Sequence, residues 1–255
     1  MKQLLPFKTV ALSGTALLMG MTSSAFAGEP IAAPLPCVAA DCGTAGWTFN
    51  AAVLAMQPHQ SEGYFHDADT DAGYRFGLAY ERPDGLRFSA SVFGFDGNAE
   101  YDGDPVDVDY FTFDLMVGDT FCPTDDLSIA LDAGLRYGTY EENWDGWTGA
   151  DFEGIGPVVS IDVVRQLGGA WALYATATTS ILFGDNDLAD GDSSNPNAGD
   201  NSTVFIAELG AGVQYSFGSG YARLGGEAQF WEGLSDYDSE NTSLAGLILE
   251  LGWNF

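Results

Sequence analysis

Few side chains here have the types and spacing that catalysis needs. His59 and His66 are the only histidines, and Asp67 stands beside the second. A His next to an Asp acts as a general base only when held in fixed geometry against an activated water. Both histidines fall in a polar stretch between apolar runs, where such a pair reads as solvated surface. No Gly-Xaa-Ser-Xaa-Gly motif occurs, and Phe217-Gly218-Ser219-Gly220 reads as a hairpin turn. Asp185-Asn186-Asp187-Leu188-Ala189-Asp190-Gly191-Asp192 has the flavour of a calcium loop. Its third carboxylate and its glycine come one residue late and no Glu closes it, so the converging oxygen cage is missing. The expectation is a chain with no catalytic residues, no cofactor and no dedicated metal site.

The elements around these residues point to a membrane. Leu247, Leu249, Leu251, Trp253 and Phe255 lie on one face of the last segment, opposite Gly246, Ile248, Glu250, Gly252 and Asn254. A period of two with a large apolar face is how a lipid-facing barrel strand reads, a signal that a hydropathy window misses. Trp253 and Phe255 form a terminal aromatic signature similar to the signal read by barrel-assembly machinery.

The other end reads as an export signal. Lys2 and Lys8 precede an apolar run from Val10 to Met21, and Ala25-Phe26-Ala27 supplies the small residues of a cut ahead of Gly28. The organisation expected is therefore a signal peptide over residues 1–27, a Pro- and Ala-rich periplasmic leader over 28–45, and one barrel over 46–255. After the signal no run of about 18 apolar residues occurs, which excludes a spanning helix.

Charge narrows the partners. The net charge is −29, and with both lysines in the signal the exported part keeps only arginines against 37 acids. Nucleic-acid binding is excluded, since that affinity comes from cations on phosphate. Hydrophobic and aromatic contents of 46% and 13% exclude disorder, so the acids must be segregated from the apolar alternation.

Ten alternating segments are expected: Gly46 to Met56, Ala72 to Arg82, Leu86 to Phe95, Val108 to Phe121, Leu127 to Tyr140, Phe152 to Arg165, Trp171 to Phe183, Thr203 to Phe217, Tyr221 to Trp231 and Leu244 to Phe255. Short Gly-, Pro- and Asp-rich turns alternate with long acidic stretches: Gln57 to Asp71, Asp96 to Asp107, Glu141 to Asp151, Gly184 to Ser202 and Glu232 to Ser243. This is the outer-membrane pattern of periplasmic turns and external loops. The fold class is all-β, an antiparallel up-and-down transmembrane barrel of ten strands, with eight and twelve as the neighbouring even counts.

The inward face is expected to carry Arg75, Glu81, Arg87, Asp114, Asp132, Arg136, Asp162, Glu208, Gln214, Arg223, Glu227, Gln229 and Glu250. Pairing through the Cys122 to Asp126 turn sets Asp114 near Gly134, with Asp132 and Arg136 as diagonal neighbours; Glu227 and Glu250 are likewise expected to approach each other near mid-barrel. Two readings stand: field-setting groups in a water-filled pore, or ion pairs filling a narrow bore.

Phe152-Glu153-Gly154-Ile155-Gly156-Pro157, followed by Trp171-Ala172-Leu173-Tyr174 and Ile181-Leu182-Phe183-Gly184, resembles the pore-forming outer-membrane proteins related to the Legionella major outer-membrane protein. The resemblance implies a porin-like barrel without a catalytic site. On residue chemistry alone, Gly154 and Gly156 leave room inward, and Pro157 implies a bulge or a missing ladder bond.

Cys37, Cys42 and Cys122 share the oxidising periplasmic side. The shorter loop favours a Cys37 to Cys42 bridge with Cys122 free or intermolecular, although either leader cysteine could instead reach Cys122. The resemblance adds a disulfide-linked homo-oligomer to the expected partners.

The function expected is a porin-like channel of the outer membrane for small hydrophilic solutes and ions, cation-preferring because acids outnumber arginines. The alternative is a non-conducting structural or adhesive barrel with a side-chain-filled lumen. Expected partners are outer-membrane lipid and lipopolysaccharide, with Mg or Ca bridging carboxylates to its phosphates, the barrel-assembly machinery, and small solutes and cations.

Overall fold

The computed structural model describes residues 45–60, 69–101, 104–144, 147–188, 199–234 and 241–255. The expected signal peptide and the expected leader up to residue 44 lie outside them. Ten strands form: β1 Gly46–Gln60, β2 Asp71–Glu81, β3 Leu86–Tyr101, β4 Asp104–Thr124, β5 Leu127–Trp144, β6 Trp147–Gly168, β7 Trp171–Leu188, β8 Gly199–Phe217, β9 Gly220–Glu232 and β10 Thr242–Asn254. Each pairs antiparallel with its chain neighbours and β1 closes on β10, so the sheet is a closed barrel without free edges. At the seam Trp47 donates its N–H to the Phe255 carbonyl and Phe255 donates to Trp47, which holds both strand ends at one rim. The tight turns lie at that rim, where Gly85, Gly169 and Gly218 take positive φ values of 90°, 60° and 56° that a β-carbon would disfavour.

Lipid faces the predicted side of each strand. Tyr74, Phe76 and Leu78, then Phe113, Leu115 and Val117, then Leu247, Leu249, Leu251 and Trp253 are all exposed. Aromatic pairs stand on this surface near the turn-bearing rim, with Trp47 against Tyr80 at 5.0 Å and Trp171 against Tyr215 at 4.9 Å, as an interfacial girdle requires.

Several expected loops are strand instead. The β3–β4 ladder continues to Tyr101↔Asp104 and the β5–β6 ladder to Trp144↔Trp147, so Asp96 to Asp107 and Glu141 to Asp151 are mostly paired backbone. The reason is an inversion of phase. Above the lipid band Val106, Val108 and Tyr110 point inward while Asp107 is exposed; below it Phe113 and Leu115 point outward while Thr112 and Asp114 are buried. The period of two persists with its polarity reversed, so the outer part of the barrel is built like a water-soluble one. The same extension corrects the calcium-like reading at its start. Asp185 and Asn186 lie on β7, where alternation exposes the first and buries the second, while 189–198 lie outside the described residues.

Candidate functional site

The lumen contains two layers. On the side away from the turns, Leu54, Met56, Phe93, Phe95, Val106, Val108, Tyr110, Tyr140, Phe152, Leu182, Val204, Ile206, Trp231 and Leu244 belong to one buried apolar cluster. Tyr110 is its centre, edge-on to Tyr140 at 4.9 Å and to Trp231 at 5.4 Å. This layer was missed because its residues sit at the outer ends of the expected strands, where the inward face turns from polar to apolar; of those named only Val106 falls in a stretch read as loop. The available signal was the phase flip marked by adjacent residues such as Tyr110 and Phe111.

Nearer the turns the bore is polar, and the residues expected to line it are buried or half-buried. Arg136 is 2% exposed and grips Asp114 with both arms of its guanidinium, Nε donating to Oδ1 at 2.7 Å and Nη2 to Oδ2 at 2.8 Å. Its Nη1 donates to Glu208 on β8. From the other wall Arg75 on β2 donates to both oxygens of Glu227, each at 2.7 Å, and approaches Glu208 at 3.3 Å. The chain Asp114, Arg136, Glu208, Arg75, Glu227 therefore alternates in sign from β4 to β9. Those strands sit diametrically opposite in the ring of ten, so the chain crosses the whole bore. Gln229 donates to Glu227 at 2.9 Å, and the Arg75 guanidinium lies 5.3 Å from the Phe93 ring, where the two layers meet.

A second group lies closer to the turns. Arg223 donates to Asp162 at 3.0 and 3.3 Å and to Gln214 at 2.8 Å, with Glu250 at 3.7 Å. Arg87 stands 3.6 Å from Asp132, and Thr120 donates to Glu81 at 3.0 Å. The side chains of Arg87 and Asp162 keep 28% and 27% exposure, more than Arg75 and Glu208 of the cross-bore chain.

Two contacts differ from expectation. Asp114 lies directly opposite Arg136, and Gly134 faces Met116, because the pairing runs on to Thr124↔Leu127 and an irregularity between Phe121 and Thr124 then moves the β4–β5 register by one. Glu227 and Glu250 occupy separate rungs, opposite Gly246 and Arg223.

Gly154 and Gly156 take the steric roles expected. A β-carbon on Gly154 would sit 2.5 Å from the Phe152 ring, and one on Gly156 would run into the Ile181 carbonyl. At Pro157 the β6–β7 ladder stops after Ile155↔Phe183 and resumes at Val158↔Ser180 in the same register, so the proline removes rungs without a bulge.

Cys122 is disulfide-bonded. It is therefore not a free thiol, which was one of the two states expected of it. Cys37 and Cys42 themselves lie outside the described residues, as does His66. His59 is exposed on β1, its Nδ1 3.0 Å from the Gln57 carbonyl oxygen. Among the described residues no group of three His, Cys, Asp or Glu side chains is arranged to hold a metal.

Solved barrels share the architecture. The outer membrane protease OmpT of Escherichia coli superposes with a TM-score of 0.52 at 10% identity, covering 82% of this chain and 97% of its own. The attachment invasion locus protein Ail of Yersinia pestis gives 0.40 at 10% identity, over 83% and 99%. The translocator domain of the autotransporter NalP of Neisseria meningitidis gives 0.45 at 12% identity, over 84% and 90%. At such identities the OmpT likeness speaks for the fold alone. No curated protein matches the sequence. Residues 128–254, from the start of β5 to the end of β10, match the family described as Legionella pneumophila major outer membrane protein precursor. That stretch holds Gly154, Gly156, Pro157 and Trp253, and through it the chain matches the Legionella major outer membrane protein family from β5 to β10.

Proposed function

We propose that this outer-membrane protein is a barrel sealed to ions at rest, whose working surface is the acidic strand extension standing above the lipid. The observation that carries the reading is the cross-bore chain from Asp114 to Glu227. Ions meeting it face ion-paired groups, and above it a layer of buried aromatic and aliphatic side chains that offers no coordinating oxygen to replace hydration. The barrel performs no catalysis in this reading. The exposed strand position of His59 supports that, and the protease activity in the name of OmpT belongs to that protein. The partners are outer-membrane lipid and the barrel-assembly machinery, with cations bridging the outer carboxylates to lipopolysaccharide phosphates. Export by a cleaved signal over 1–27 is part of the same proposal.

A second reading is the cation-preferring diffusion channel. It is favoured by the partial exposure of Arg87 and Asp162 and by the inward excess of carboxylates over arginines. Single-channel recording of the full-length protein in a planar bilayer separates the two. Sealed barrels give no steady ohmic current, whereas a steady current with a cation-selective reversal potential overturns the sealed reading and establishes the channel.

A further inference from the structure

The outer apolar compartment is bounded unequally. Its floor is the ion-paired chain, which an apolar molecule could cross only by displacing buried charges. Its wall between β6 and β7 is different. There the ladder omits Gly156 and Pro157 on β6 and Ile181 and Leu182 on β7. Pro157 has no N–H to donate, so this seam has fewer rungs to break than the continuous ladders beside it.

The same place is thin. Gly138, Gly154, Gly156 and Gly184 carry no side chains on three successive strands, and each points into the lumen. Leu182 lies over them, fully buried, its Cδ1 2.7 Å from where a β-carbon on Gly138 would stand. Outside the wall Ile155, Ile181 and Phe183 are exposed to lipid together with Pro157. One leucine and a strip of glycine backbone thus separate an apolar interior from the hydrocarbon.

We propose that the β6–β7 seam at Gly156–Pro157 is a lateral passage for small apolar molecules between the outer lumen and the lipid, gated by Leu182. Such a molecule finds apolar surroundings on both sides, so transfer costs little beyond parting the seam and turning Leu182 aside. Charged and strongly polar solutes are excluded, because they would leave water for an environment without partners. This function is separate from ion conduction and goes beyond the sealed-barrel reading.

The test uses the full-length protein in vesicles whose outer leaflet is lipopolysaccharide, with naphthalene as the probe and its fluorescence as the measure of entry. Pro157→Val restores a backbone N–H at the seam while keeping an apolar side chain toward the lipid, and should slow entry several-fold. Leu182→Ala removes the gate and should speed it several-fold. Heat-modifiable gel mobility certifies folding, and Pro157→Val decides alone if Leu182→Ala does not fold. Wild-type entry no faster than in protein-free vesicles, or equal rates in wild type and Pro157→Val, overturns the proposal. Potassium efflux from the same vesicles reads the sealed lumen separately, so either idea can fail without the other.

Discussion

The two halves of the lumen fill nearly the same bore by opposite means. The half toward the turns is held by Arg75, Arg136 and Arg223, each given carboxylates from other strands. The outer half is held by rings and aliphatic chains around Tyr110 and Phe152. A buried ion pair recovers its desolvation cost only when its geometry is good, and it punishes the loss of one partner more than the loss of both. An apolar layer has no such pairing; each truncation leaves its own cavity. The charged half is thus specific about which residues face each other, and the apolar half about how much volume is present.

The largest effect expected follows from breaking one pair. Arg136→Met leaves Asp114 and Glu208 short of a cation in a closed bore and should cost about 3–5 kcal/mol. Adding Asp114→Leu should recover part of that loss, since the buried charge then disappears with its partner. In the outer half the logic reverses: Phe152→Ala should cost about 3–5 kcal/mol, and adding Leu182→Ala should deepen the loss. Urea unfolding in detergent micelles, run as two double-mutant cycles, measures both. Equal signs of coupling in the two layers would remove the distinction.

Asp114 and Asp132 sharpen the contrast within the charged half. Both are buried inward aspartates, yet Asp114 is clasped at 2.7 Å and 2.8 Å while Asp132 meets Arg87 only at 3.6 Å. Asp114→Asn should therefore cost more than Asp132→Asn by about 1–2 kcal/mol, the worth of charge-assisted hydrogen bonds over a loose pair. The same urea midpoints decide it, and a larger loss from Asp132→Asn would show that contact distance misranks these groups.

How far the sequence speaks depends on which rule a residue obeys. Within the lipid band the environment on each side is uniform, so alternation alone places Arg75, Asp132 and Glu250 inward and Leu115 and Leu249 outward, with the strand count. Above the band water replaces lipid outside, and Asp107 and Val108 exchange the roles that Leu115 and Asp114 take below. A reader scanning for lipid-facing residues stops at that crossing and sees loop. Which inward charge meets which lay deeper, because the β4–β5 turn is shorter than expected and the irregularity between Phe121 and Thr124 slides β4 by one against β5, and pairs across the bore depend on barrel closure.

The smallest effect expected compares the two rims by their carboxylates. On the outer face Asp96, Asp109, Glu141 and Asp151 stand directly opposite one another on β3, β4, β5 and β6, and like charges so placed repel. Partial burial, and then Asp96, Glu141 and Asp107, push the Asp109 carboxyl above its ordinary value of 3.8. At the turn rim Asp126 is drawn below that value, first by the Thr124 hydroxyl donating at 2.6 Å and further by Arg165. The signs oppose. A raised carboxyl burdens the fold at neutral pH, and the burden lifts as pH falls through the folded value toward 3.8; a lowered one supports the fold above 3.8, and that support goes as pH falls through its folded value. Asp109→Asn should therefore stabilise the barrel at pH 7 by up to about 0.5 kcal/mol, discounted for solvent screening, with the gain shrinking as the pH approaches 4. Asp126→Asn should have a slight effect of the opposite sign. Urea midpoints from pH 7 down to pH 4 read both, and a gain for Asp109→Asn that grows on acidification would mean that the outer carboxylates do not repel one another.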